Sequence, residues 1–300
     1  MGFLRRHRGL QGAILIGPAA LWALAFIVVP TFMAVRMSFW RMENFQLVRH
    51  WSLDNYSLLL DSQIYRDGLV RSLENGFIAS VAAVALSIPL AHFIRFHVHR
   101  HRTLFVGGVV VALWLGYLLR IFGWRILFGT SGVLNSFLMS VGITDHPLQF
   151  LIFSPLAVAV TQTHLAMPFA FIPIFAAMER LPANVMEAGG DLGASRRRQF
   201  LFIELPLISR GVVVGGTFAF ILAFGDYFAP VFVGAPSAST TLGNLAANNF
   251  RATINWPFGA AIGVVMMITI LVVLSITEIV TRKVASDTGG GTSDRAEAVV

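Results

Sequence analysis

Apolar residues in this chain come in long windows separated by short charged clusters, without the strict alternation of a half-buried strand. A bilayer core of about 30 Å takes about 20 apolar helical residues, so windows free of charge locate membrane spans. The first lies between Arg8 and Arg36, centred on residues 13–29, and the second covers 75–94, between Glu74 and Arg95. A short third window lies between Arg102 and Arg120; a fourth, between Asp145 and Glu179, carries Pro147, Pro155, Pro168 and Pro173. The fifth runs from about Leu207 to Phe224, and the sixth lies between Arg251 and Glu278. The pattern predicts an all-α polytopic membrane protein with six transmembrane helices. Arg5, Arg6 and Arg8 before the first window resemble the basic start of a secretory signal. Its apolar run, however, exceeds an h-region of about 7–15 residues and no small-x-small cleavage site follows, so a retained helix is expected.

Composition agrees with the windows. Hydrophobic residues are 56% of the 300 and charged residues 12%, with mean hydropathy +0.73, whereas soluble domains carry roughly 25% charge. So few charges cannot cover the surface of a soluble enzyme this long. The absence of cysteine removes disulfides, thiolate metal sites and a cysteine nucleophile. The only lysine, Lys283, follows Arg282 rather than a glycine, so the chain has no Walker A loop of its own. Arginine and lysine also orient the spans. With the N-terminus inside, Arg36, Arg41, Arg49, Arg66, Arg71, Arg120, Arg125 and Arg251 fall outside, 8 of the 22; the other 14 fall inside. Both termini are therefore expected in the cytoplasm, along with the long connection between spans four and five. The outer stretch 39–68 mixes aromatic and charged residues as an interfacial loop does, while 129–146 reads as a turn around a short helix. Residues 1–285 form the membrane domain, and the glycine-rich stretch 286–300 reads as a disordered tail.

The connection 179–210 differs from the rest. Pro182 can open a helix that stops at Gly193, a residue suited to a left-handed cap. Ser195 can cap a second short helix, ending at Pro206. Glu187 and Asp191 are like charges at i, i+4, and Arg196, Arg197 and Arg198 face the positive end of a helix dipole, so the unit opposes its own stability. Ala188, Gly189 and Gly190 remove side-chain bulk, as a docking surface for another protein requires.

Glu187-Ala188-Gly189, three residues, Gly193, nine residues, Ile203, one residue, then Leu205-Pro206 resembles the EAA loop of binding-protein-dependent (type I) ABC importer permeases. Gly189 stands where alanine is usual. Leu53-Asp54-Asn55-Tyr56, Gly132-Val133-Leu134-Asn135, Leu165-Ala166-Met167-Pro168-Phe169 and Asn255-Trp256-Pro257-Phe258-Gly259 extend the likeness toward the spermidine/putrescine type. The resemblance implies the permease fold and an inner-membrane location. It also implies a second permease subunit, two ATP-binding subunits that carry the nucleotide, and an extracytoplasmic solute-binding protein. Glu187, Ala188, Gly189, Asp191, Gly193, Ile203, Leu205 and Pro206 would then couple to the ATPase. A polyamine is the cargo it implies first; ferric iron, phosphonate, opine or amino-acid-like solutes remain alternatives.

Candidates for the solute path are the sparse polar groups of the spans, each costly to insert. Asp226 beside Tyr227, at the outer end of span five, offers an ammonium cargo a carboxylate and an aromatic face. The competing reading solvates Asp226 or pairs it with Arg120 or Arg125. Trp114 and Tyr117 are ring candidates, against the ordinary interfacial belt, and Gln162, with Thr163 and His164, is the polar centre of span four. His97, His99 and His101 sit among arginines that repel a metal ion. No catalytic constellation, metal site, bound cofactor or nucleic-acid surface is expected. An ion-coupled secondary transporter is a less supported alternative, since neither internal repeats nor a midplane acid is evident.

Overall fold

The computed structural model describes residues 8–98, 100–236 and 238–296. Arg5 and Arg6, His99 and the last four residues of the expected tail lie outside the described residues. Within them, five helical stretches are long and apolar enough to cross a bilayer: Ile16–Met37, Gln63–Phe96, Pro155–Glu179, Arg196–Phe224 and Trp256–Lys283. A further pair, Arg102–Trp114 and Tyr117–Ser140, meets the same length and hydropathy only when taken together and is bent by 94°, which makes six crossings where the pair counts as one span. The short third window is thus a broken helix. Leu115 and Gly116 leave helical geometry with ψ of 128° and 130°, at a glycine that has little preference for continuing the helix.

Two prolines distort helices in the same way. In the first span, α1 (Arg8–Ala23) joins α2 (Val29–Met37) through a π-helical turn, Leu24–Val28, two residues ahead of Pro30. In the fifth, a π-helical turn, Phe200–Glu204, stands two residues ahead of Pro206. A proline ring removes an N–H and crowds the carbonyl four residues back, and the preceding turn widens to i→i+5 bonding. The N–H of Val29 accordingly donates to Leu24 O, and that of Leu205 to Phe200 O. The expectation that a helix ends at Pro206 is therefore corrected: the chain stays helical through it into the membrane.

One compact group comprises the residues up to Arg66 with Leu245–Met267. Here β1 (Arg41–Glu43) and β2 (Gln46–Val48) form a small antiparallel hairpin, followed by α3 (Asp54–Asp61). The Asp54-Asn55-Tyr56 motif locks it. Asn55 Nδ2 donates to Ser38 O and Trp40 O at 2.8 Å each, Tyr56 Oη meets Ser38 Oγ at 2.6 Å, and Asp54 pairs with Arg41. The last of the described helices, α13 (Trp256–Ala296), is capped by Asn255, whose Oδ1 accepts from Phe258 N at 3.3 Å. It runs into the stretch for which composition predicts a disordered tail.

The other group comprises Asp67–Asn244 with the residues from Ile268 onward. Its centre is three helices: α4 (Gln63–Phe96), α8 (Pro155–Glu179) and α11 (Leu205–Phe224). Between α4 and α8 in sequence lie α5 (Arg102–Trp114), α6 (Tyr117–Phe128) and α7 (Val133–Ser140). Buried Asn135 fastens the loop after α6, donating to Gly129 O at 3.0 Å and accepting from Leu148 N at 2.8 Å. Ser154 caps α8 through Ala157 N at 3.1 Å, and Pro155 sits in its first turn, where a missing N–H costs nothing. Ala83, Ala91 and Ile94 of α4 meet Ala166, Ala170, Phe171, Ile174 and Met178 of α8 and Ile208 and Ala219 of α11 in one core.

The closest approach is between α8 and α11. It uses Gly211 and Gly215, a small-xxx-small spacing that lets membrane helices touch backbone to backbone. A methyl group on Gly215 would stand 2.6 Å from Ala170 O, and one on Gly211 2.7 Å from Pro173 O. Gly215→Ala is therefore expected to force the helices apart and lower stability by about 1–3 kcal/mol. Thermal unfolding of the detergent-solubilised protein measures it; an unchanged midpoint would remove this contact from the core.

Candidate functional site

The connection after span four forms an elbow. Pro182 precedes α9 (Ala183–Asp191), whose end is a Schellman turn: Ala194 N donates to Gly189 O at 3.0 Å and Gly193 N to Gly190 O at 2.9 Å. The turn needs a left-handed residue, and Gly193 supplies it with φ +77°. Next comes α10 (Arg196–Gln199), with Ser195 at its cap position but making no side-chain cap bond, so the capping expected of Ser195 is not found. The three arginines that follow are solvent-exposed.

The small residues of the elbow divide into two faces. Gly189 is buried, and a methyl group there would meet Ile203 Cδ1 at 2.7 Å and Gln199 Cγ at 3.6 Å. The expectation that Gly189 opens a surface for another protein is corrected: it lets α9 close on the π-helical turn. Gln199 ties the fold by donating to Ala194 O at 3.0 Å. Outward stand Glu187, Ala188, Gly190, Asp191 and, at the tip, Leu192, which is 89% exposed. Leu192 is not among the coupling residues expected from the sequence; the signal for it is a large apolar residue immediately before a cap glycine. Ile203 and Leu205 are half-buried and Pro206 is exposed, at the root of the elbow.

Two polar contacts join this root to the end of α4. Glu179, the last residue of α8, pairs with Arg95 at 3.7 Å and with Arg102. Glu204, with no exposed surface, accepts from His92 Nδ1 at 2.8 Å and 2.9 Å through its two oxygens. Neither His92 nor Glu204 was singled out from sequence. Each is an ionisable residue inside an otherwise apolar run, which is the signal that finds them. Of the histidines in the next connection, His97 stacks on Phe93 at 5.7 Å.

At the opposite end of the three-helix centre, three candidates converge. Asp226 is 5% exposed, and Gln162 is 1% exposed. Oδ1 of Asp226 accepts from Tyr117 Oη at 2.7 Å, Phe228 N at 2.9 Å and Ala229 N at 3.3 Å, and Oδ2 accepts from Gln162 Nε2 at 3.1 Å. The carboxylate opens the short α12 (Phe228–Val233) while tying it to α6 and α8. It is neither solvated nor paired with Arg120 or Arg125. Arg120 lies over the Tyr117 ring at 5.9 Å and Arg125 over Phe153 at 6.0 Å. Tyr227 is adjacent but half-buried, its ring 5.1 Å from Phe228. Trp114, 85% exposed, does not join the cluster. His164 accepts from Trp124 Nε1 at 3.1 Å and Thr163 bonds back to Ala159 O, so these neighbours of Gln162 point elsewhere.

Residues 77–286 match the family described as binding-protein-dependent transport system inner membrane component. The chain is 31% identical over 268 residues to the spermidine/putrescine transport system permease protein PotB of Escherichia coli K12, covering 88% of this chain and 96% of that one. Its Haemophilus influenzae namesake is 28% identical over 269 residues, 88% and 93% of the two chains. Among solved structures, a bacterial ABC transporter involved in import of the acidic polysaccharide alginate superposes with TM-score 0.76 at 16% identity, over 94% of this chain and 98% of that one. The MetNI methionine ABC transporter, in an inward-facing conformation, gives TM-score 0.56 at 16% identity, over 74% and 96%. The fold is thus that of ABC importer permeases.

The Asp226 cluster is open to a direct test. Gln162→Leu leaves Oδ2 of a buried carboxylate without its donor, at an expected loss of about 1–3 kcal/mol. Thermal unfolding in detergent reads this out; a midpoint equal to the parent's would mean that the cluster does not hold these helices together.

Proposed function

The chain belongs to the binding-protein-dependent transport system inner membrane components, and on that premise we propose that it is the multi-pass, non-catalytic permease subunit of an ABC importer for polyamines. The permease body is residues 1–285, in the inner membrane, with both termini and the elbow in the cytoplasm, a reading supported by the 14-to-8 division of arginine and lysine. It works with a second permease subunit, two ATP-binding subunits that hold the nucleotide, and an extracytoplasmic binding protein that delivers the solute.

The elbow carries this reading. Glu187, Ala188, Asp191 and Gly193 present backbone and charge around one exposed leucine, the composition of a knob that enters a cleft. Gly189, Ile203, Leu205 and Pro206 set the knob at a fixed angle on span five. Closure of the ATP-binding subunits on it turns the helices between outward-open and inward-open states. The cargo reading rests on the likeness to PotB and on Asp226. Among the described residues, Asp226 holds only neutral donors and no cation, so it is the acid that an ammonium chain passing Tyr117, Gln162, Tyr227 and Trp114 meets.

Two measurements test this. Because the chain has no cysteine, Leu192→Cys introduces its sole thiol. A thiol crosslinker should join it to an ATP-binding subunit, and Gly193→Trp should abolish solute-stimulated ATP hydrolysis in proteoliposomes. Failure of the crosslink, or normal stimulation in the tryptophan variant, would sink the coupling role. For cargo, Asp226→Asn is expected to raise the KM for spermidine uptake about tenfold, the value of one lost charge contact of about 1.4 kcal/mol. An unchanged KM excludes Asp226 from the path.

A further inference from the structure

Glu204 is the one acidic residue in the run from Phe200 to Ile208, and it is fully buried at the root of the elbow. Its hydrogen-bond partner is His92, on the last turns of span two, and the ring N–H reaches both carboxylate oxygens. The pair sits where the helix is distorted: Glu204 closes the π-helical turn ahead of Pro206, and Pro89 lies one turn before His92 in α4. Phe96 and Phe200 pack on the imidazole at 4.8 Å and 5.9 Å, which fixes its plane. A cavity of about 610 Å³ lies elsewhere along α5, but the one beside this pair, about 600 Å³, is lined by His92, Glu204 and Met186 of α9. The elbow helix and the pair thus border one cavity.

Both ends of the elbow are attached to the same stretch of α4. Glu179, before the elbow, holds Arg95; Glu204, after it, holds His92, three residues away on the same helix. Rotation of α9 and the π-helical turn cannot leave α4 behind while both contacts last. A hydrogen bond from one N–H to two oxygens is directional and resists sliding, whereas an apolar contact is not and lets helices slip.

We propose that the His92–Glu204 hydrogen bond is the positioning contact that transmits elbow movement to span two. The inference rests on the importer reading above and adds to it the route by which motion leaves the elbow. The residues touch neither solute nor nucleotide, so their loss should uncouple rather than inactivate.

The test uses the complete importer in proteoliposomes. The double variant His92→Phe with Glu204→Leu replaces the pair by apolar groups and leaves no orphaned charge, so a merely structural pair would tolerate it. The expected result is an assembled complex with parental basal ATP hydrolysis and unchanged thermal midpoint. Its solute-stimulated hydrolysis and solute moved per ATP fall about tenfold, within the usual range of coupling between sites. Glu204→Gln keeps an oxygen for the ring N–H and should retain most of the coupling. The exchanged pair, His92→Glu with Glu204→His, restores the contact and should recover it. Parental stimulation in the double variant overturns the proposal, as does an exchanged pair that assembles yet stays uncoupled. A parent complex showing no solute-stimulated hydrolysis would instead overturn the importer reading itself.

Discussion

The backbone contact between α8 and α11 is the constraint on which both working ends depend. Gly211 and Gly215 let the helices approach until a single added methyl group would collide with a main-chain oxygen. In hydrocarbon, lipid tails compete equally for any apolar side chain, so association relies on close packing and on polar contacts. With the two axes set this near, Gln162 on one helix reaches the Asp226 loop that follows the other. At the far end the same approach buries Leu181 and Ile208 together and sets the start and finish of the elbow side by side.

The helix-distorting prolines and the two buried acids are each answered by a specific partner, because an unsatisfied group in a bilayer costs several kcal/mol. Pro30 and Pro206 are accommodated by π-helical turns that redirect the freed carbonyl bonding. The two buried acids are answered in opposite ways. Asp226 takes four donors from three elements, an arrangement that admits little movement. Glu204 depends on one imidazole across a helix boundary, which holds two elements together and lets both turn. The two acids thus differ in how tightly each is held: Asp226 from several sides, Glu204 across a single contact between two helices.

Much of the design was legible in the residue order. Charge-free windows located the spans because bilayer thickness sets a length that few other features impose. Gly193 could be assigned to a left-handed turn because a helix must stop somewhere and an L-residue resists that conformation. The motif residues outside the elbow proved to have plain physical tasks: Asn55, Asn135 and Asn255 each fasten a loop or a helix start through the side-chain amide.

Other features were beyond it. Pro206 reads as a helix end in sequence, and only the π-helical turn shows the chain continuing through. Gly189 reads as part of an outward stripe, yet Ile203, fourteen positions later, claims its face. His92 and Glu204 lie 112 residues apart, and no local pattern joins them. The chain by itself determined which stretches are long and apolar enough to cross a bilayer and that the elbow turns at Gly193, since those follow from transfer energies and backbone sterics at single positions. Which side chains meet, and so which groups hold charge, bind or transmit, was decided only when the glycines of α11 set how closely the helices pack.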